Sequence, residues 1–393
     1  MKRAYKYRIY PNFSQREALA KIFGFCRFLY NSALEERISF YKKFKKSLNY
    51  YDQEKSLKEI KNIFGCETEN IHSQTLQQVL KQLDTSFKNF FRRIKNKKIA
   101  PGFPRFKNTD RFRGILFPQC DLNSGGAKRL PNSKLKIKGV PGEIKAVWHR
   151  PFQGRCKQVR IVKNNDKYFI ILFCDDVPNI ETRELTGKTV AIDLGISNFI
   201  TTDDGLKIHH PKPYKTAKEK LKYLQRRAAK QRGSNNSHRM RIRIANQFEK
   251  IVNIRNEFQH KTVNFLIKNY DVITIEKLNI KKMLENINFA VSKINISEVS
   301  WGNFINILKY KAENAGVLIK EVNPANTSQT CSQCGKLRKI KLDLKDRIFK
   351  CEFCNFEMDR DQNAALNIKK LGTSFVTMAA SPPVSEAHAF RRG

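Results

Sequence analysis

The stretch Thr189-Val-Ala-Ile-Asp-Leu-Gly-Ile-Ser-Asn-Phe199 constrains this chain more than any other. So apolar a run reads as a buried strand, and the acid inside it, Asp193, is costly to desolvate unless something cationic compensates it. A metal ion is the simplest such cation. Two more acids occur in comparable settings: Glu276 in Val272-Ile-Thr-Ile-Glu-Lys-Leu278, and Asp361 in Met358-Asp-Arg-Asp-Gln-Asn-Ala-Ala-Leu-Asn-Ile368. Singly, each is readable as an ordinary surface or ion-paired group. Together they form a pattern of strand acid, strand acid and acid at a helix start, which requires all three to project at one end of one sheet. Their hard oxygens suit Mg2+ or Mn2+ and not zinc. Two such ions on Asp and Glu ligands activate water and stabilise the leaving oxygen of a phosphodiester.

The charge balance names the partner. The 393 residues carry 76 Lys plus Arg against 36 Asp plus Glu, a formal charge of +40, and the basic residues recur along nearly the whole length. That distribution suits a long polyanion lying across several domains, and nucleic acid is the obvious one. A membrane partner is not expected: there is no run of about 18 apolar residues, and Met1-Lys-Arg-Ala-Tyr-Lys-Tyr7 lacks the apolar segment of a signal peptide. The chain reads as intracellular.

In that reducing setting the cysteines divide in two. Cys26, Cys66, Cys120, Cys156 and Cys174 are scattered among apolar neighbours and need only pack. Cys331-Ser-Gln-Cys334 and Cys351-Glu-Phe-Cys354 are two knuckles 16 residues apart, the spacing of a zinc ribbon in which four thiolates close a tetrahedron. Such a site is structural, with no open position for catalysis.

Periodicity divides the rest. Ala4 to Tyr10 alternates as a strand, and Ser14-Gln-Arg-Glu17 reads as a capping box opening an amphipathic helix. A second helix from about Ser73 turns Leu76, Val79, Leu80, Leu83, Phe87, Phe90 and Phe91 inward. Short runs split by Gly, Pro and Asn follow, with the clearest hairpin joining Val159–Lys163 to Tyr168–Cys174. Residues 1–12 and 100–186 are therefore expected to form a β domain interrupted by a helical module, 13–99, with a linker at 181–187. Beyond it the predicted order is strand, strand, two basic helices, strand, helix, strand, then the cysteine knuckles and a helix from about Asp361 to Leu371. Asp203 and Asp204 read as turn formers, and His209-His210-Pro211 as a solvated loop. Ile244, Phe248, Ile251, Val252 and Phe258 are expected to form the core face of the second basic helix. Residues 283–299 suggest a mobile loop and 373–393 a disordered tail.

Ala191-Ile-Asp-Leu-Gly-Ile196, Ile275-Glu-Lys-Leu-Asn-Ile280, the paired knuckles and Asp359-Arg-Asp-Gln-Asn-Ala-Ala-Leu-Asn-Ile368, in this order, closely resemble the TnpB proteins encoded by transposons, relatives of compact type V CRISPR effectors. The N-terminal Tyr-Lys-Tyr-Arg-Ile-Tyr-Pro, Gly102-Phe-Pro-Arg-Phe106 and Asn323-Pro-Ala-Asn-Thr-Ser-Gln-Thr-Cys331 extend the resemblance over almost the whole chain. It implies a multidomain α/β and α+β protein: a wedge-like N-terminal β-barrel with a helical insertion, then a RuvC-like nuclease domain of the RNase H fold, 187–372, carrying an inserted zinc ribbon, 323–357. It implies catalysis by Asp193, Glu276 and Asp361 as Mg2+ ligands, with Asp359 as a neighbour, and structural Zn2+ on Cys331, Cys334, Cys351 and Cys354. The partners implied are a guide RNA from the transposon end, one protein per guide, and double-stranded target DNA beside a short motif, in a prokaryotic cytoplasm. Sequence choice is then delegated to base pairing while the protein holds backbones by charge. Asn355 and Met358 depart from the family's usual Gly and His, and Arg347 matches a basic position expected near the scissile phosphate. A guide-bound regulator with an inert site and a transposase joining DNA ends are the alternatives.

Overall fold

A computed structural model describes residues 2–96, 100–120, 125–130, 133–178, 186–231, 236–280, 283, 285, 299–340, 342 and 346–379. Most of the expected linker, most of the expected mobile loop and the expected tail from 380 onward lie outside the described residues. The chain divides into two compact units, 1–179 and 180–393.

The first unit opens with β1 (Arg3–Tyr10), whose alternation buries Tyr5, Tyr7 and Ile9. Helix α1 (Phe13–Phe44) starts two residues earlier than the Ser14 box predicted. Its cap is Asn12: the side chain accepts from Gln15 N at 2.9 Å, and Gln15 Oε1 accepts from Asn12 N at 3.0 Å. Gln15 suits this role because its amide also donates to the carbonyls of Pro141 and Glu143, which hold it buried. Three short helices, α2 (Tyr50–Lys55), α3 (Leu57–Ile63) and α4 (Gly65–Thr68), lead to α5 (Ser73–Lys95). Leu76, Val79, Leu80 and Leu83 are buried on α5 as predicted, but Phe91 is exposed, its ring beside those of Phe87 and Phe90.

Six strands follow: β2 (Gly114–Phe117), β3 (Ala127–Leu130), β4 (Lys134–Ile137), β5 (Ile144–Val147), β6 (Arg155–Asn164) and β7 (Lys167–Asp175). With β1 they form a seven-stranded sheet in the order β2-β6-β7-β1-β5-β4-β3, antiparallel throughout. A bridge from Cys120 to Ala127 links the two edges, so the sheet is nearly closed. The predicted hairpin is β6–β7, its turn carrying Asn165 at φ 52°. The barrel interior and the helices share one apolar core.

The second unit is built on a five-stranded sheet of β8 (Thr189–Asp193), β9 (Asn198–Thr202), β10 (Lys207–His209), β11 (Val272–Glu276) and β12 (Leu318–Val322). The order is β10-β9-β8-β11-β12, in which β9 runs antiparallel to both its neighbours and β8, β10, β11 and β12 all point the same way. Helices α6 (Lys212–Lys230), α7 (Ser237–Asn269) and α8 (Trp301–Ala315) are joined by a final helix, α9 (Arg360–Ala379), which runs eight residues past the predicted end at Leu371. Alternation along β8 assigns the layers. Val190 and Ile192 pack with Val263 of α7 and Phe304 of α8, whereas Ala191 packs with Val322 and with Ile368 of α9. Helix α9 approaches closely: a Cβ at Gly372 would stand 2.6 Å from Thr274 Oγ1 of β11.

Two predicted members of the α7 core face, Phe248 and Val252, are 47% and 38% exposed. The predicted Ile251 does meet helix α6, with the predicted Ile244 and also Ile254 packed beside it. The cysteine knuckles lie between β12 and α9 around a two-stranded ribbon, β13 (Ile348–Lys350) and β14 (Glu357–Asp359). Among the described residues no helix is long and apolar enough to cross a membrane.

Candidate functional site

Asp193 and Glu276 are the last residues of two adjacent parallel strands, paired so that Ile192 faces Ile275. Asp361 lies in the first turn of α9. The chain thus delivers all three acids to the C-terminal edge of one sheet, the usual position of a site in an α/β layer structure. Asp193 feels the other two: burial pushes it up to about 8, and the charges of Glu276 and Asp361 push in the same direction, with Arg360 opposing. Burial raises Glu276 as well, partly offset by the Thr327 hydroxyl, which donates to its Oε1 at 2.5 Å. A desolvated acid whose carboxyl is raised further by two neighbouring acids is an arrangement that a divalent cation stabilises.

Asp359, two residues from Asp361, is otherwise engaged. Its Oδ1 accepts from Asp361 N at 3.0 Å and from Gln362 N at 3.1 Å, and its Oδ2 takes the Lys207 ammonium at 2.6 Å. Burial alone would raise this carboxyl, but these partners hold it below the usual carboxylate range. Asp203 is no mere turn former. It is 8% exposed, accepts from Ala191 N of β8 at 2.8 Å and pairs with Lys369 of α9 at 2.5 Å, tying helix to strand behind the site. Nor is His210 simply solvated: its ring stands 5.4 Å from Phe199, and Nε2 bonds the Ile196 carbonyl at 3.2 Å.

Within the second unit the four cysteines converge, their sulfur atoms all within 4.8 Å of one another. Cys331 and Cys354 are 3.7 Å apart, and Cys334 and Cys351 3.6 Å. Four sulfurs at 2.3 Å from a central ion stand about 3.8 Å apart in a tetrahedron, so this set can hold a metal. Each knuckle turns through a left-handed residue after its second cysteine: Gly335 at φ 74° and Asn355 at φ 55°. Asparagine is among the few residues that adopt this conformation readily, which accounts for it where glycine is usual.

Sequence reasoning missed the polar seam joining knuckle to helix. Asn363 Nδ2 donates to Thr330 O at 2.8 Å and its Oδ1 accepts from Ser332 N at 2.9 Å. Asn367 Nδ2 donates to Thr327 O at 2.9 Å and Thr330 O at 2.7 Å. The motif asparagines thereby hold the segment that brings Thr327 to Glu276. Their i, i+4 spacing, which puts two amides on one face of a helix, was the available signal. Arg347, between the knuckles, donates from Nη2 to Ser197 Oγ at 2.9 Å, in the turn after Asp193.

Three family models match: a "Helix-turn-helix domain" over residues 1–46, a "Probable transposase" over 172–287 and a "Cas12f1-like, TNB domain" over 301–368. The first of these stretches is here a strand followed by one uninterrupted helix. A "Putative RNA-guided DNA endonuclease" of Streptomyces pristinaespiralis is 30% identical over 95% of this chain and 90% of its own length. The chain belongs to the TnpB family. InsQ of Escherichia coli (strain K12), described in the same words, is 28% identical over 94% of this chain and 92% of its own. The TnpB-like protein L79 of Acanthamoeba polyphaga mimivirus is 32% identical over 31% of this chain and 24% of its own. Among solved structures, a Cas12f1–sgRNA–target DNA complex aligns with a TM-score of 0.52 at 17% identity, covering 91% of this chain and 83% of that one. This TnpB protein and Cas12f1 therefore share a fold.

Proposed function

We propose that this protein is an RNA-guided DNA endonuclease of a mobile element that hydrolyses target DNA at Asp193, Glu276 and Asp361. The observation carrying the reading is the convergence of these acids at one sheet edge, where burial and mutual charge raise Asp193 to about 8. The second unit supports a RuvC-like domain of the RNase H type: its strand order, β10-β9-β8-β11-β12 with only β9 reversed, puts the first and fourth strands side by side, each ending in an acid. Residues 1–12 and 100–186 then act as the wedge-like barrel and 13–99 as its recognition insertion.

Bound at the three carboxylates, Mg2+ or Mn2+ supplies activated water and neutralises the leaving oxygen. Asp193 and Glu276 must be deprotonated to bind it, and Thr327 helps by stabilising the Glu276 carboxylate. Asp359 fixes the first turn of α9 and so the position of Asp361. Arg347, tethered to the turn after Asp193, offers a cation to a backbone phosphate there. The cysteine set suits Zn2+ as a structural ion beside this arrangement. A guide RNA from the transposon end supplies specificity by pairing, leaving the +40 chain to hold backbones.

The test is to express the protein with its flanking DNA, sequence the RNA that copurifies and assay Mg2+-dependent cutting of a matching target library. A discrete RNA and guided cutting that Asp193→Ala abolishes is the expected result. A discrete RNA without cutting would favour an inert regulator, and strand-transfer products a transposase.

A further inference from the structure

Behind the turn that follows Asp193 lies a cavity of about 210 Å³ within the second unit, lined by Ile196, Phe199, His210, Tyr214 and Phe258, with Lys215, Lys218 and Arg255 also contributing. Its walls are apolar and aromatic, and its charges are all positive. Pockets for drug-sized ligands start at about 300 Å³, so this one admits a single ring system. The His210 ring is held in place, with Nε2 donating to the Ile196 carbonyl and Phe199 and Phe258 nearby, their centroids 5.4 and 6.4 Å away. Burial lowers its pKa, favouring the neutral ring, whose Nδ1 is then a hydrogen-bond acceptor. Lys215 and Lys218 are about one helical turn apart near the start of α6 and so lie on one side of the helix.

We infer that this cavity receives one unstacked nucleobase of the single DNA strand presented to the three carboxylates, stacking it on aromatic walls while Lys215 and Lys218 hold its phosphates. The proposal rests on the nuclease reading above. Three features select a base over other ring compounds. The walls provide aromatic faces, which stack any base without regard to sequence. The charge around them is cationic, matching a phosphate-linked ring. Ile196 is three residues from Asp193, so a strand seated here is already beside the acids. A base anchored at this depth would register the backbone on the site in a sequence-independent way, as a nuclease guided by pairing requires.

The experiment uses the Asp193→Ala protein–RNA complex, which reports binding without cutting. Single-stranded DNA carrying 2-aminopurine at successive positions is added and fluorescence is read. The expected result is quenching at one position, lost in a Tyr214→Ala background and retained with Tyr214→Phe. Lys218→Gln, a rim change that spares the aromatic walls, should weaken binding of the same strand by about tenfold at low salt. A flat profile, or quenching indifferent to Tyr214, overturns the proposal. So does quenching only when 2-aminopurine is in the guide RNA, which would make the cavity an RNA site. Cutting by the wild-type complex, measured in parallel, reports on the nuclease reading alone, because the fluorescence readout does not depend on cleavage.

Discussion

Lys207 Nζ lies 2.6 Å from Asp359 Oδ2, joining the edge strand β10 to the residue that caps α9. Because the cap sets the first turn of the helix, a lysine on a distant strand orients Asp361. Asp359→Ala should remove both hydrogen bonds to the α9 N-terminus, costing about 1 kcal/mol of stability. Its effect on cleavage should be larger than its effect on folding, since Asp361 would lose its fixed position. Asp359→Asn keeps a capping oxygen, loses the ion pair and should fall between. Chemical denaturation and single-turnover cutting, run on both variants, check this ordering.

The acid cluster couples stability to pH. In the folded chain Asp193 is pushed from its ordinary 3.8 up to about 8, so between these values the folded state binds a proton that the unfolded chain releases. Without divalent ions, stability should fall as pH rises through that window. Mg2+ needs the charged form and competes with the proton, so its stabilising effect should grow towards about pH 8, at about 2–4 °C of melting temperature per kcal/mol. Asp193→Asn should flatten the pH dependence and abolish most of the Mg2+ shift. Thermal melts with and without Mg2+ at several pH values decide the matter.

The knuckle turn at Asn355 makes a prediction about backbone conformation. Held at φ 55°, it should accept Asn355→Gly with little change, whereas Asn355→Val should cost about 1–2 kcal/mol. The loss should appear as weaker retention of zinc in a chelator competition, with the first unit's fold unaffected. Cys334→Ser should release the ion outright.

Asn367→Leu is predicted to be severe. It fits the buried position sterically but removes the amide donor to the Thr327 carbonyl and one of the two donors to the Thr330 carbonyl, which keeps Asn363, an expected cost of about 1–3 kcal/mol. Because Thr327 also donates to Glu276, cutting should slow even where the variant remains folded. A circular-dichroism melt paired with a cleavage time course separates the two effects.

The placement of the three acids at one sheet edge was legible in the sequence because each is chemically out of place: a charge at the end of an apolar strand or opening a helix. The cysteine spacing was legible for a similar reason, since four thiols so arranged have few other uses. Asp203 was misread because Asp203-Asp-Gly205 carries a strong local turn signal, whereas its actual partners, Ala191 N and Lys369, are 12 and 166 residues away. The capping box slipped by two residues at each end because Asn12–Gln15 and Ser14–Glu17 are both plausible locally, and the carbonyls of Pro141 and Glu143 favour Gln15. Phe91, Phe248 and Val252 satisfied helical periodicity yet face outward, since a period identifies a stripe without stating how much of it finds a partner. The i, i+4 spacing of Asn363 and Asn367 marks two amides on one helix face, but their backbone partners lie 31 to 40 residues away and are not encoded locally.

The position of Asp361 has a consequence for synthesis. Asp193 and Glu276 leave the ribosome well before it, and the ribbon that positions α9 lies between. Chains fold from the N-terminus at about 5–20 residues per second of translation, so the 1–179 unit has time to assemble while the carboxylate set is still one member short. A nascent chain therefore carries a folded first half before the carboxylate set proposed for cutting is complete, and on that proposal a truncated product ending before α9 would not cut the genome that encodes it.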